Sequence, residues 1–197
     1  MKSGLSSMGL ALLAALLLCG SKVHAADSAA SYTLTRQYGS VLFRVMFQEI
    51  QFMVGRFDDY SGTLYLDYED LANSRLEASV NMASLNMADG DVAETLVNSS
   101  SWFNAQLFPQ ASFSSTDVTV TGPNQADFSG ELSFMGITRP WTLHVEFFGG
   151  SDGELTGSSV GMHATGSFNR TDFGLDQYMN MAADEVAIEV NVKFNRD

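Results

Sequence analysis

Apolar and polar residues alternate with a period of two along most of the chain, and this feature constrains the fold most. In the clearest case, near the C-terminus, one face carries Val186, Ile188, Val190, Val192 and Phe194. Successive side chains of a β-strand point to opposite faces of the sheet, so the pattern indicates strands with one apolar face. The sequence therefore predicts an all-β protein.

Several such segments follow one another. Strands are predicted near residues 32–38, 40–48, 56–68, 74–82, 112–121, 126–135, 139–148, 157–168 and 184–195. Most connections are short, which favours antiparallel neighbours because parallel strands need long crossovers. Such strands form either a sandwich or a closed barrel. Glycines inside the strand patterns, at Gly62, Gly130 and Gly166, suit the bends of a barrel and favour it over the sandwich.

Residues 86–108 have a different pattern. Val92, Leu96 and Val97 recur at helical spacing, and Asp89 suits a helix N-terminus. A helix and a second short turn are predicted, ending at Pro109. An isolated helix of this length is marginal, so its apolar side must rest on the sheet.

The N-terminus resembles a secretory signal peptide. Lys2 precedes an apolar run over residues 8–18, and Val23-His24-Ala25 fits the small-residue cleavage pattern. We expect cleavage after Ala25, export to the periplasm and a single domain over residues 26–197. A cysteine after a leucine run can instead mark a lipoprotein, but Leu18, before Cys19, is not the small residue that such processing prefers.

The mature chain is acidic. The full sequence has a formal net charge of −13, and loss of Lys2 and Lys22 with residues 1–25 makes it −15. Binding of nucleic-acid phosphates needs a basic surface, so no nucleic-acid partner is expected. The same charge argues against docking on anionic lipid head groups.

Motifs that could indicate catalysis or metal binding lack the structural context that these functions require. Gly157-Ser158-Ser159-Val160-Gly161 matches the G-x-S-x-G elbow, which requires a strand-to-helix turn, but a strand is predicted to follow it. His144 and His163 lack a second metal ligand at an accepted spacing. We therefore expect no catalytic residue, metal site or cofactor.

The apolar residues of the sequence say more about function. A small barrel is either filled by its own side chains or holds one ligand. Large aromatic and flexible methionine side chains suit a cavity for a pliable chain. The residues predicted to line a hydrophobic lumen are Phe43, Val45, Phe47, Phe57, Leu64, Leu66, Val80, Met82, Leu96, Trp102, Phe103, Phe113, Phe134, Phe168 and Phe173.

Several short motifs together resemble one known family. Among them are Gly55-Arg56-Phe57, Trp102-Phe103-Asn104, Gly130-Glu131-Leu132 and Arg170-Thr171-Asp172-Phe173-Gly174-Leu175. In their order and spacing, over nearly the whole mature length, the chain resembles the YceI-like family of periplasmic polyisoprenoid-binding proteins. The resemblance implies an extended, lipocalin-like eight-stranded antiparallel β-barrel with a short helical insert. It also implies an amphiphilic isoprenoid lipid, of quinone or polyprenyl type, held lengthwise in the lumen, and no catalytic residues.

The chain departs from the family pattern at two places. Phe47 stands where the family often has histidine, and residues 93–97 read Ala-Glu-Thr-Leu-Val where the family often has Arg-Asp-x-His-Leu. Three positions that are often polar in the family are thus apolar in this chain. This suggests a ligand that is more hydrophobic or differently oriented.

Three functions remain in competition. The first is a carrier or storage protein for an isoprenoid lipid, with transient contact with a membrane or membrane proteins. The second is a stress-related or interaction module whose barrel is packed by residues such as Phe43, Phe134 and Phe168. The third is an enzyme acting on a lipid head group through Asp172 or His163. An edge strand or an exposed apolar patch could support a homodimer in any of these cases.

Overall fold

The computed structural model describes residues 29–149 and 155–197. The predicted signal peptide, its cleavage site and Cys19 lie outside these residues, so the expectations about them stay predictions. In the described part, the chain forms ten strands and one α-helix. The strands are β1 (Ala29–Phe47), β2 (Gln51–Phe57), β3 (Tyr60–Asp67), β4 (Arg75–Asn81), β5 (Leu85–Met87), β6 (Gln110–Gly122), β7 (Gln125–Phe134), β8 (Ile137–Phe148), β9 (Ser159–Asn169) and β10 (Ala182–Arg196).

Within the described ranges, eight strands close into an antiparallel ring. The order is β1-β3-β4-β6-β7-β8-β9-β10, and pairing of β10 with β1 completes the ring. The strand β2 leads into β3 and pairs with β1, while the short β5 pairs with β2. The predicted all-β class and the antiparallel eight-stranded barrel with a helical insert are confirmed.

The period-two pattern has the expected physical consequence. In β7, every second residue from Ala126 to Phe134 is buried, while Asp127, Ser129, Glu131 and Ser133 between them are more exposed. Inward-facing apolar residues of every ring strand therefore meet inside the barrel. Burial of apolar surface drives this arrangement, at about 25 cal/mol per Å² removed from water.

Two strand predictions need correction. The segments predicted near 32–38 and 40–48 form one strand, β1, whose register with β10 shifts between Thr35 and Ser40. Tyr38 adopts a positive φ of 63° at this irregularity. The strand predicted near 56–68 covers β3 but only the last two residues of β2. The rest of β2 was missed because Phe52 and Val54 lie on its outer face, where the alternation would have polar residues.

The helix α1 (Gly90–Asn98) lies between β5 and β6. The Asp89 carboxylate caps it by accepting from the backbone N–H groups of Asp91 (3.1 Å) and Val92 (3.2 Å). Its buried residues Ala93 and Leu96 show that the apolar side packs inward. The predicted helix and following turn are thus present, and we call residues 90–109 the insert. No helix among the described residues is long and apolar enough to cross a membrane.

The two ends of the barrel differ. One end, where β1 stops and β10 begins, carries the insert and a short 3₁₀ helix, Arg170–Phe173; we call it the open end. At the other end, bulky side chains that are at most 2% exposed fill the interior. We call this group the plug, and it consists of Tyr32, Leu64, Leu66, Phe128 and Phe147.

Candidate functional site: an apolar lumen

A cavity occupies the barrel between the plug and the open end. It contains about 1360 Å³ of space free of protein atoms, counting the solvent at its mouth. All eight strands of the ring and β2 contribute to its wall, together with the insert and the 3₁₀ helix. Its lining includes Leu34, Val41, Met53, Leu76, Ala78, Ala111, Leu132, Leu143, Met162, Val186, Ile188, Val190 and Phe194.

Most of the residues predicted for the lumen line this cavity. They are Phe43, Val45, Phe57, Val80, Met82, Leu96, Trp102, Phe103, Phe113, Phe134 and Phe168. Their positions agree with the predicted lumen, while contact with a ligand stays a prediction for each of them.

Four predicted lumen residues lie elsewhere. Leu64 and Leu66 are fully buried in the plug, below the cavity floor. Phe47 ends β1 opposite Ala182 and is only half-buried. Phe173 packs behind the wall, with its ring centroid 5.1 Å from that of Phe168 and 5.6 Å from that of Phe134. All four point inward or pack on the core, but strand periodicity does not specify depth along the barrel axis.

Several aromatic rings in mutual contact surround the part of the cavity near the open end. Phe103 of the insert contacts Phe43 and Phe134 edge-on, with centroid distances of 6.2 and 5.7 Å. Phe57 lies 5.9 Å from Phe43. Edge-to-face pairs of this kind add about 0.5–1.5 kcal/mol each beyond area burial. The insert is therefore joined to the barrel wall by ring contacts that also form the cavity surface.

Arg170 is the one charged residue in the cavity lining of the described chain, and it is only 3% exposed. Its Nε donates to the Ala183 carbonyl, its Nη1 to the Leu175 and Gln177 carbonyls, and its Nη2 to Met179 Sδ and the Ala182 carbonyl. Burial lowers the pKa of Arg170, while the nearby carboxylates of Asp184 and Asp176 oppose the shift. The guanidinium group remains charged, because arginine does not lose its proton in proteins.

Other polar groups at the wall are few. Tyr60 is buried, and desolvation raises the pKa of its phenol. The indole N–H of Trp141 donates to the Ser167 carbonyl at 2.8 Å, so the ring presents mainly its apolar part. The arrangement can hold a hydrocarbon chain, and it offers few partners for polar groups.

Titratable clusters are sparse. His144 Nδ1 lies 2.7 Å from an Asp127 carboxylate oxygen, and His163 Nε2 lies 3.8 Å from Glu189; neither histidine lines the cavity. In residues 29–149 and 155–197, no three His, Cys, Asp or Glu side chains are placed to hold a metal ion. Asp172 and His163, the candidates for head-group chemistry, both lie outside the cavity lining.

Sequence reasoning missed many of the lining residues, and three cases show why. Met53 was lost with β2, because that part of the strand was not predicted. Ile188 and Val190 stood on the apolar face of the last predicted strand, so the alternation was a usable signal for them. Arg170 was quoted only as part of a motif, and nothing in the local pattern shows that an arginine there is buried.

The family follows from a direct comparison. The sequence model described as the YceI-like domain matches residues 32–194, which span the barrel from β1 to β10. The chain belongs to the YceI-like family. The resemblance inferred from the sequence motifs is thereby confirmed.

Individual YceI-like proteins resemble the chain over most of its length. The Protein YceI of Shigella flexneri is 28% identical over 190 residues, which cover 95% of this chain and 96% of that protein. The crystal structure of Burkholderia cenocepacia BcnA superposes with a TM-score of 0.74 at 21% identity, covering 81% of this chain and 98% of that one. A polyisoprenoid binding domain from Saccharophagus degradans superposes with a TM-score of 0.61 at 13% identity, covering 85% and 99% respectively. At these identities, the two structures show a shared YceI-like fold.

Proposed function

We propose that the protein binds a long, amphiphilic isoprenoid lipid in the barrel lumen and carries or stores it in the periplasm. The observation that supports this most is the apolar cavity that begins at the open end and stops at the plug. The name of the Saccharophagus degradans domain gives the ligand class for a protein of the same fold. The signal-peptide pattern of residues 1–25 supports the periplasmic location.

The apolar wall can supply the affinity without polar contacts. Burying about 600 Å² of ligand apolar surface at roughly 25 cal/mol per Å² gives about 15 kcal/mol before the costs of association. Those costs are about 4–15 kcal/mol, so binding ranges from negligible to tight with the quality of fit. A ligand that fills the lumen lengthwise would bury the most area and is favoured over a short one.

Exposed apolar side chains at the open end support brief membrane contact as part of the same proposal. Ile50 and Phe52, on the β1–β2 hairpin, are 80% and 53% exposed, and Tyr178 is 54% exposed. Large exposed apolar groups near one another mark interaction surfaces. If this surface touched a bilayer, a lipid moving between the bilayer and the lumen would be less exposed to water.

A barrel packed throughout its length, the competing interpretation, finds support only at the plug. The residues expected to fill its centre, Phe43, Phe134 and Phe168, line the cavity instead.

Organic extraction of the protein from its native host, followed by mass spectrometry, tests the proposal. We expect a co-purifying isoprenoid lipid from the unaltered protein and little or none from Ala78→Phe, which places a ring in the cavity. Ala187→Phe is the matched control, because Ala187 lies between the inward-facing Val186 and Ile188 on the outer face of β10. Repeated recovery of protein without lipid, or equal lipid in Ala78→Phe, would contradict the proposal.

A further inference from the structure

The segment between the 3₁₀ helix and β10 covers part of the open end. We call residues 174–181 the strap. It begins at Gly174, which takes a left-handed φ of 79°, and it joins β10 at Ala182. Leu175 near its start and Ala182 just after its end line the cavity, whereas Tyr178 and Met179 in its middle are 54% and 45% exposed. The strap is therefore a cover with one side toward the lumen and the other toward solvent.

Arg170 uses its whole hydrogen-bonding capacity on the strap and on the first two residues of β10, which follow it. A guanidinium group has five N–H donors, and the five acceptors of Arg170 all lie between Leu175 and Ala183, at distances of 2.6–3.1 Å. Four acceptors are backbone carbonyls and the fifth is the Met179 sulfur. Removing this one side chain would thus release both ends of the strap and its middle at once.

Arg170 carries a buried charge, which limits how strongly the closed arrangement is favoured. No ion pair with a carboxylate satisfies it in the described ranges. The nearby Asp184 carboxylate instead accepts from the backbone N–H and hydroxyl of Thr171, at 3.0 and 2.9 Å. Because burying a charge without a direct ion pair is costly, water that reached Arg170 on opening would offset part of the lost hydrogen bonding.

The strap meets the insert through ring contacts. The Tyr178 and Trp102 rings stack with centroids 5.5 Å apart and planes 10° from parallel, and the Arg170 guanidinium lies 5.9 Å from the Trp102 ring centroid. Along most of the ring, by contrast, backbone pairing closes the wall, and between β8 and β9 it covers residues 144–148 and 161–165. A hydrocarbon chain can pass the strap–insert seam by parting side chains, whereas passage between paired strands requires breaking a ladder.

We propose that Arg170 is a positioning residue that holds the strap closed over the lumen, and that the ligand enters and leaves between the strap and the insert. This inference rests on the proposed lipid-binding function. It assigns to Arg170 control over the rate of ligand exchange, which acts through the strap and requires no contact with the ligand.

Release kinetics of a defined dye test the inference. The probe is N-phenyl-1-naphthylamine, whose fluorescence rises in apolar sites, and its dissociation rate is measured by stopped flow after dilution. Arg170→Lys keeps the charge but has a three-donor point charge in place of the planar fork, so we expect dissociation to accelerate about tenfold or more. Arg139→Lys is the matched control, because exposed Arg139 donates only to the neighbouring Thr138 carbonyl among the contacts described.

A second pair of variants keeps the test decidable if Arg170→Lys does not fold. Tyr178→Ala removes the ring stack from a half-exposed side chain and should accelerate release, while Tyr178→Phe keeps the stack and should not. Phe147→Ala destabilises the plug and should leave the release rate unchanged, which separates strap opening from general loss of stability. Unchanged dissociation in both Arg170→Lys and Tyr178→Ala would overturn the inference.

Hydrogen exchange of the strap separates this inference from the proposed function. If the unaltered protein binds no dye, the lipid-binding function is contradicted, and the strap is judged by amide exchange of residues 174–182. We expect faster exchange there in Arg170→Lys than in Arg139→Lys. Equal exchange in those two variants would show that Arg170 does not hold the strap.

Discussion

Glycines at positions with no room for a side chain determine how closely neighbouring groups of this barrel approach each other. A Cβ atom on Gly55 would lie 2.2 Å from the Phe43 ring, so glycine there admits that ring into the lumen. A Cβ atom on Gly130 would lie 2.1 Å from the Ser114 carbonyl oxygen, at the point where the register of β6 shifts between Ser115 and Asp117. Gly130 therefore permits the close approach of β6 and β7 at the register shift, which helps to bend the wall. This is a common role of glycine within a strand.

Asp58, beside the junction of β2 and β3, gives a prediction at the same scale. Its carboxylate accepts from Asn86 Nδ2 at 2.9 Å and from Arg56 Nε at 2.7 Å, and these hydrogen bonds lower the pKa of Asp58. A lowered folded-state pKa contributes stability above the unfolded pKa of about 3.9, and the contribution is lost as pH falls through the folded value. Because the side chain is 46% exposed, Asp58→Asn should cost at most about 1 kcal/mol at pH 7.

Urea unfolding at pH 7 and at about pH 2.5 measures this contribution. The difference between the unaltered protein and Asp58→Asn should be smaller at the lower pH, because the stabilisation is lost as the pH falls from the unfolded pKa through the lowered folded pKa. Asp117→Asn, at an exposed position on β6, is the control and should show little difference at either pH. A difference that grew on acidification would contradict the assignment.

Among the secondary-structure elements, the insert is the one whose stability depends most on a local signal. Its helix has nine residues, which is too short to persist without capping and packing. The Asp89 cap holds one end, and the buried Leu96 and half-buried Phe103 hold the inner side against the barrel. Loosening this element would therefore also open the lumen wall that it forms.

Replacement of the cap tests this dependence. Asp89→Ala removes the acceptor for two N–H groups and should destabilise the helix by about 0.5–2 kcal/mol. Hydrogen exchange should then rise within residues 90–98 while β7 and β8 stay protected. Glu94→Ala, at an exposed position inside the same helix, is the control and should leave exchange nearly unchanged. Uniformly faster exchange throughout the barrel would instead assign the cap a role in global folding.

At the scale of the whole molecule, the barrel divides into a packed part and a hollow part along one axis. The plug combines full burial with direct contacts, such as the Phe128–Phe147 pair at 6.0 Å and the Tyr32 hydroxyl donating to the Gly157 carbonyl at 3.2 Å. The upper part keeps its aromatic side chains on the wall around the cavity. Stability and ligand capacity should therefore depend on different halves.

Two matched truncations separate these halves. Phe134 and Phe147 are 6% and 2% exposed, so replacing either with alanine should lower the free energy of unfolding by about 3–5 kcal/mol. Only Phe134→Ala removes part of the cavity wall, so only this variant should also change lipid retention per folded molecule. Urea unfolding combined with lipid extraction gives both quantities. Equal effects of the two variants on retention would show that the halves are not separate.

How much of the fold and of the cavity could be predicted from the sequence depends on whether each feature leaves a pattern among neighbouring residues. The strand β10 was predicted nearly in full, because five apolar residues alternate with polar ones. The helix was predicted from its cap and its spacing. Most of the strand β2 was missed because its outer face carries Phe52 and Val54, and Leu64 was assigned to the lumen because period two defines a face and no depth.

The sequence by itself determined the all-β class, the barrel preference, the insert and the membership of the YceI-like family, since each follows from local periodicity, caps or ordered motifs. Only the tertiary structure decided where the hollow part begins and which residue holds the strap. Depth along the axis is fixed by pairings between distant residues, such as Val45 with Val186. The hydrogen bonds of Arg170 likewise exist only once the strap has folded back over it.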